Sequence, residues 1–114
     1  MVTIPLYEAK AELLKTLGHP ARIRILELLS ERDHAVHELL SEMSLEPSNL
    51  SQHLAVLRHA GLVHQSRAGG EVVYALLIPE TRELLLAARR VLRNVLTDRD
   101  ALKSELGTTD AEPL

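Results

Sequence analysis

Four short polar side chains stand close together near the middle of this chain. They are Ser48, Asn49, Ser51 and Gln52. Hydroxyl and amide groups both donate and accept hydrogen bonds without carrying a charge. In a DNA major groove, Asn and Gln pair with adenine through two hydrogen bonds, and Ser serves several bases. The cluster therefore indicates recognition of base edges, with the ordinary roles of helix cap and plain surface as the alternative.

A helix over residues 47–60 is predicted to position these side chains. Leu50, Leu54 and Leu57 recur at helical spacing, with Val56 beside them, so one side of this helix requires a core. A proline at its first position and a glycine after its end mark its limits. A helix that needs only solubility usually carries Glu and Lys on its outer side. The neutral polar side of this helix therefore favours a specific contact.

A helix-turn-helix followed by a hairpin is predicted around this helix. A shorter helix over 37–43 and a turn at 44–46 lead into it, and the second helix of such a pair enters the major groove. Residues 62–77 read as two strands around Gly69-Gly70, which favour a tight turn. A hairpin in this place is a wing, and Arg67 near its tip is placed to contact the DNA backbone or the minor groove.

Amphipathic helices flank this segment on both sides. The predicted order is a helix at 6–17, a helix at 20–31, an extended link at 32–36 and, after the wing, a helix from 79 to 106. The polar residues 107–114 are predicted to be disordered. The fold class is mainly α with a small β-hairpin, in one winged helix-turn-helix domain over residues 1–106.

The first and last helices carry more apolar residues than a core of this size covers. We therefore expect each pair to pack against its copy in a second chain and to form a homodimer. The expected dimer interface consists of Leu6, Leu13, Leu84, Leu85, Ala88, Val91, Leu92 and Val95.

The charge pattern gives a weak basic signal. The net charge of −3 argues against an indiscriminate nucleic-acid binder, but the acidic residues concentrate toward the C-terminal end. Between residues 47 and 71 the fully charged side chains are Arg58, Arg67 and Glu71. Arg22 and Arg24 oppose the dipole of their helix. A phosphate near Arg22 is one explanation, and pairing of Arg24 with a neighbouring glutamate is another.

Several classes of protein are disfavoured by composition. With 0 cysteines there are no disulfides, thiolate metal sites or cysteine nucleophiles. No phosphate-binding loop or paired carboxylates suggest an enzyme. No signal-like segment and no apolar run of membrane-spanning length is present, so we expect a cytoplasmic protein without a membrane partner.

Together these residues resemble the ArsR/SmtB family of small bacterial regulators. The matching segments are Leu17-Gly-His-Pro-Ala-Arg22, Ser48-Asn-Leu-Ser-Gln-His-Leu54, Val56-Leu-Arg-His-Ala-Gly-Leu62 and the wing that ends in Val73-Tyr74. They span most of the chain between residues 13 and 77. The resemblance implies a dimeric winged helix-turn-helix transcription factor that binds operator DNA, is most often a repressor, and dimerises through its first and last helices.

The resemblance also implies which residues contact DNA. The base-reading positions of the family fall on Ser48, Ser51 and Gln52, whereas Pro47 stands where the family often has Gln, so one contact is missing. His53 matches the histidine of the SQHL motif. It is expected either to contact a phosphate or to be a buried imidazole bonded to the neighbouring helix. Arg58 is expected to contact the DNA backbone, and Arg67 matches a wing position.

The metal sites known in this family do not transfer to this chain. The family's cysteine box would place thiolates at positions 35 and 37, which are Ala35 and His37, and no histidine follows His64 on the last helix. A non-standard nickel or zinc site remains as an alternative, because imidazole suits both ions. Its candidate ligands are His34, His37, His59 and His64. A winged helix that binds only protein is the second alternative.

Overall fold

The computed structural model describes residues 3–96, which form five helices and three strands in this range. The elements are α1 (Leu6–Leu17), α2 (Pro20–Glu31), β1 (His34–Ala35), α3 (Val36–Glu42), α4 (Pro47–His59), β2 (Val63–Ala68), β3 (Glu71–Leu76) and α5 (Glu80–Val95). The chain up to Pro79 is one compact unit, and α5 belongs to a second. The winged helix-turn-helix fold predicted from the sequence is confirmed.

Helix boundaries agree with the sequence to within one residue wherever they are described. The helices predicted at 6–17 and 20–31 have those bounds. α3 begins and ends one residue earlier than predicted, α4 ends one residue earlier, and α5 begins one residue later. The predicted continuation of the last helix to residue 106 and the predicted disorder of 107–114 lie outside the described residues.

The link predicted at 32–36 is extended as expected, but residues 34–35 form a paired strand and Val36 already belongs to α3. β1 pairs antiparallel with β3, with His34 opposite Tyr74 and Ala35 opposite Val73. The strand order is β1-β3-β2, so the predicted two-stranded hairpin is the larger part of a three-stranded sheet. A strand of two residues is too short to show an alternating pattern in the sequence.

The core of the first unit lies between α2, α3, α4 and the sheet. Its most deeply buried side chains are Ile25, Leu26, Leu39, Leu50, Leu54, Leu57 and Val63. Val56 was expected beside the buried leucines of α4, but it is 38% exposed. The helical repeat explains this difference, because Val56 lies about 100° around the helix axis from its neighbour Leu57.

Glycines set the two tightest reversals of this unit. Gly69 and Gly70 have φ of 60° and 82°, which a two-residue hairpin turn of type I′ requires. That turn pairs Ala68 with Glu71 and fixes the register of β2 against β3. Gly61 follows α4 with φ of 80°, the left-handed conformation predicted for its C-terminus.

None of the helices within residues 3–96 combines the length and the apolar character that crossing a lipid bilayer requires.

Candidate nucleic-acid interface

Helix α4 separates its apolar and polar residues onto opposite sides. Leu50 and Leu57 are 0% exposed and Leu54 is 2% exposed. All four polar residues singled out in the sequence, Ser48, Asn49, Ser51 and Gln52, are exposed. The leucines therefore anchor the helix in the core and leave the hydroxyl and amide groups facing solvent.

These exposed polar groups do not have the capping role that the sequence left open. The residue at the N-cap of α4 is Glu46, and no side chain accepts a hydrogen bond there. Within residues 3–96, none of the four polar side chains bonds to another group of the chain. Their full donor and acceptor capacity is available to a ligand.

His53 lies on the second turn of α4 and packs against the beginning of α2. Its ring centroid is 4.3 Å from that of His19, with the planes inclined by 47°. The Nδ1 atom of His19 accepts a hydrogen bond of 3.1 Å from the backbone N–H of Ala21 and so caps α2. His53 is thus half-buried in a ring contact with the neighbouring helix, close to the structural role expected from the sequence.

Burial lowers the pKa of His53 below the ordinary histidine value. Electrostatic interactions with His19 and Arg22 contribute smaller shifts in the same direction. A neutral imidazole is therefore favoured at this position on the inner edge of α4.

Arg22 and Arg24 both have intramolecular partners, and the pairing of Arg24 with a glutamate that the sequence offered as an alternative to a phosphate contact is present. Arg22 Nε donates a 2.6 Å hydrogen bond to the carbonyl oxygen of Thr16 and ties the end of α1 to α2. Arg24 forms an ion pair with Glu27 at 3.2 Å. The structure thus gives both arginines a role within the fold.

The two arginines expected to contact the DNA backbone lie on different elements. Arg58 is exposed in the last turn of α4. Arg67 is exposed near the tip of the wing, where its Nη1 atom donates a 3.4 Å hydrogen bond to the carbonyl oxygen of Gly70. Both guanidinium groups are accessible to a phosphate.

The four histidines considered for nickel or zinc have separate surroundings. His34 is buried, and its Nδ1 lies 2.8 Å from the carbonyl oxygen of Arg32. His37 Nε2 lies 3.1 Å from a carboxylate oxygen of Glu71. His59 and His64 are exposed. Between residues 3 and 96 no group of three or more side chains is arranged to hold a metal ion.

Most of the apolar residues assigned to a dimer interface are exposed. Those on α1 are exposed, with Leu6 at 69% and Leu13 at 37%. On α5, Leu84 and Leu85 are half-buried, and Ala88, Val91, Leu92 and Val95 are exposed. Each helix therefore presents an apolar side that the described chain leaves open to solvent.

Sequence reasoning missed a hydrogen bond on the wing. The hydroxyl of Tyr74 donates to Gln65 Oε1 at 2.6 Å, across the β2–β3 pair. The signal was present, because a two-residue turn at Gly69-Gly70 places these two residues opposite each other.

Comparison with known proteins identifies relatives over most of this chain. A model of the family described as "Bacterial regulatory protein, arsR family" matches residues 19–65. The uncharacterized HTH-type transcriptional regulator Rv0081 of Mycobacterium tuberculosis is 56% identical over 107 residues, which cover 93% of this chain and 94% of that protein. Its crystal structure superposes with a TM-score of 0.77 at 58% identity, covering 85% of this chain and 98% of that one.

Two further relatives differ in the sign of regulation that their names state. The transcriptional activator HlyU of Vibrio cholerae is 37% identical over 79 residues, 69% of this chain and 73% of that protein. The biofilm growth-associated repressor of Agrobacterium fabrum is 34% identical over 90 residues, 75% of this chain and 77% of that protein.

Proposed function

This chain belongs to the arsR family of bacterial regulatory proteins and is a DNA-binding transcriptional regulator, and from that premise we propose that it reads an inverted-repeat operator as a homodimer. In this proposal α4 lies in the major groove and the wing lies along the adjacent backbone. The protein acts in the cytoplasm, where the chromosome is found.

The observation that carries this proposal is the polar side of α4. Ser48, Asn49, Ser51 and Gln52 are exposed and have no hydrogen-bonding partner within residues 3–96. Amide and hydroxyl groups of this kind match the donor and acceptor pattern of base edges. The buried leucines hold the helix rigidly, which reduces the entropy lost when these groups are fixed on DNA.

Contacts to the DNA backbone are assigned to side chains at the margin of this surface. Arg58 and Arg67 neutralise phosphates, and His53 lies at the inner edge of α4, where it positions the helix against α2. Such contacts set register and affinity and carry no sequence information of their own.

Dimerisation is assigned to the apolar sides of α1 and α5. A two-fold symmetric dimer reads an operator whose half-sites are related by the same symmetry, with centres about 34–36 Å or a multiple of that apart. The partners are therefore double-stranded operator DNA and a second copy of this chain.

Repression is the mode we propose, as in the name of the Agrobacterium fabrum relative. The Vibrio cholerae relative makes activation the alternative. A transcriptional reporter driven from the protein's own operator separates the two, because a repressor lowers and an activator raises its output.

Replacing the base-reading groups tests the proposed interface. We expect Ser51→Ala and Gln52→Ala each to weaken operator binding by about 1–3 kcal/mol and to reduce discrimination against a shuffled sequence, because each removes hydrogen bonds to bases. Arg58→Ala is expected to weaken binding to both DNAs and to flatten the salt dependence. Fluorescence anisotropy with both duplexes at several salt concentrations measures these changes.

Ser41→Ala is the matched control, because its hydroxyl already donates to the carbonyl oxygen of His37 at 2.9 Å within α3. Operator binding should be unchanged in that variant. If Ser51→Ala and Gln52→Ala bind the operator as tightly as the unaltered protein, α4 does not read bases. A winged helix that binds only protein then becomes the better interpretation.

A further inference from the structure

The wing carries an amide whose orientation is set by a buried tyrosine. Gln65 on β2 and Tyr74 on β3 lie directly opposite each other in the sheet. The Tyr74 hydroxyl donates a 2.6 Å hydrogen bond to Gln65 Oε1. Tyr74 is 8% exposed on the central strand, whereas Gln65 is exposed on the edge strand. A rigid core residue therefore holds the oxygen end of an accessible side chain.

Fixing the oxygen leaves the nitrogen of this amide as a directed pair of donors. A glutamine amide has one carbonyl oxygen that accepts and one NH₂ group that donates twice. Within residues 3–96, the bond to Tyr74 is the only hydrogen bond of the Gln65 side chain. Because the side chain is already oriented, less rotamer entropy is lost when its NH₂ group binds an acceptor.

Gln65 lies on the same face of β2 as Arg67. Side chains two residues apart on a strand share a face and are separated by about 7 Å. Both side chains offer donors outward, an amide NH₂ from Gln65 and a guanidinium from Arg67. A short strip of donors therefore runs along the edge strand toward the tip of the wing.

A strip of donors fits the groups that duplex DNA presents beside a wing. Phosphate oxygens only accept, and the minor-groove edge of an A·T pair offers only the acceptors A N3 and T O2. We propose that Gln65 contacts such an acceptor of the operator and that Tyr74 is its positioning residue. This inference rests on the proposed function and adds a residue to the DNA interface.

Gln65→Glu tests the proposed contact between Gln65 and the operator, because one substitution removes the NH₂ donors and adds a negative charge. The carboxylate keeps the acceptor for the Tyr74 hydroxyl and nearly the same size, but it replaces the NH₂ donors with a negative charge. Ser66→Glu is the matched control, since it introduces the same charge one residue along β2 on the opposite face. We expect Gln65→Glu to weaken operator binding at least ~10-fold more than Ser66→Glu, because only the former places a charge against an acceptor of the duplex.

Tyr74→Phe tests the positioning role, because it removes the hydroxyl and keeps the buried ring. We expect Gln65→Ala to weaken binding by ~3- to 10-fold and Tyr74→Phe to weaken it by part of that factor, in line with the loss of one hydrogen bond. In a Gln65→Ala background, Tyr74→Phe should have no further effect on DNA binding. If the Tyr74–Gln65 hydrogen bond only stabilises the sheet, Tyr74→Phe would lower the melting temperature and leave operator affinity unchanged. That result would contradict the positioning role.

Measurements on two duplexes identify the acceptor. An equal loss for Gln65→Ala on operator and shuffled DNA assigns the contact to a phosphate, and a loss confined to the operator assigns it to a minor-groove base edge. Equal binding by Gln65→Glu and Ser66→Glu overturns the inference, even while Ser51→Ala still loses affinity and upholds the proposed function. Failure of the unaltered protein to prefer its operator overturns both.

Discussion

His53 connects the helix that carries the exposed polar groups to the start of α2. Its ring lies 4.3 Å from that of His19, which itself caps α2 through Nδ1. Burial first, and then electrostatic interactions with His19 and Arg22, lower the pKa of His53 below 6.5. A proton on His53 is therefore unfavourable where α4 packs on α2.

Protonation of His53 should destabilise the fold in acid. Since the folded-state pKa is lower than the unfolded one, the unfolded chain binds the proton more tightly. The stability contributed by neutral His53 is present above pH 6.5 and is lost as the pH falls through the folded-state pKa. We expect His53→Gln to show a smaller drop in melting temperature between pH 7.5 and pH 5.5 than the unaltered protein.

His59→Gln, an exposed change on the same helix, is the control for that measurement. Melting followed by circular dichroism at both pH values compares the three proteins. An equal drop in the unaltered protein and in His53→Gln would show that this imidazole does not couple folding to pH.

Single residues were predicted from the sequence where their type alone carries the information. Ser51 and Gln52 could be assigned to the surface because the leucines around them define the buried side of α4. The role of Arg22 could not, because its partner is the backbone carbonyl of Thr16, and a backbone acceptor has no signature in the sequence. Gln65 was missed for a different reason, since its importance depends on a neighbour across the sheet.

The segment least well predicted from the sequence is the junction between β1 and α3. Here the backbone N–H of Ala35 donates to Glu38 Oε1 at 2.8 Å, and Arg32 pairs with the other carboxylate oxygen at 3.0 Å. The hydrogen bond from Ala35 and then the one from Arg32 lower the pKa of Glu38 below 4.5. The first turn of α3 is held by this carboxylate rather than by a side chain at its N-cap.

Removing that charge should weaken the start of the helix-turn-helix. The folded-state pKa of Glu38 is lowered, so its contribution to stability is present above pH 4.5 and is lost as the pH falls through the folded-state value. Glu38→Gln is expected to have a lower melting temperature than the unaltered protein at pH 7, and the difference should shrink toward pH 3.

Glu42→Gln, at the exposed C-terminal end of the same helix, controls for the change in net charge. Thermal melts at pH 7 and pH 3 compare the melting temperatures of Glu38→Gln, Glu42→Gln and the unaltered protein. A melting temperature for Glu38→Gln equal to that of Glu42→Gln at pH 7 would contradict the stabilising role of this carboxylate.

Elements with a repeating apolar pattern were predicted well, whereas an element that forms by pairing with a strand far along the chain was not. α1 and α2 have the bounds expected from apolar spacing, glycine and proline signals. β1 forms because it pairs with β3, with His34 opposite Tyr74. A two-residue segment is too short to show a strand pattern, so the sequence does not predict this pairing. The hairpin was predictable because its turn, Gly69-Gly70, is local.

At the scale of the whole molecule, the exposed apolar sides of α1 and α5 remain to be covered. Leu6 and Val95 are each 69% exposed, and Val91 is 59% exposed. Burying a leucine or valine side chain contributes roughly 1.5–3 kcal/mol. An exposed apolar patch on a helix is typical of an interaction surface. A second copy of the chain is the occupant we propose, because an operator read by two α4 helices requires two-fold symmetry.

A charge placed on the apolar side of α5 should separate the subunits and, as a consequence, weaken operator binding. We expect Leu92→Glu, a change at a residue that is 48% exposed, to leave the helix content intact and to shift the protein from dimer to monomer, because a carboxylate in an apolar interface is desolvated without a partner. Operator affinity should then fall by at least ~100-fold, since one α4 reads only one half-site. Arg90→Glu, an exposed change on the polar side of α5, should remain dimeric. Sedimentation equilibrium at micromolar concentration gives the masses, and an unaltered protein that sediments as a monomer would refute the dimer.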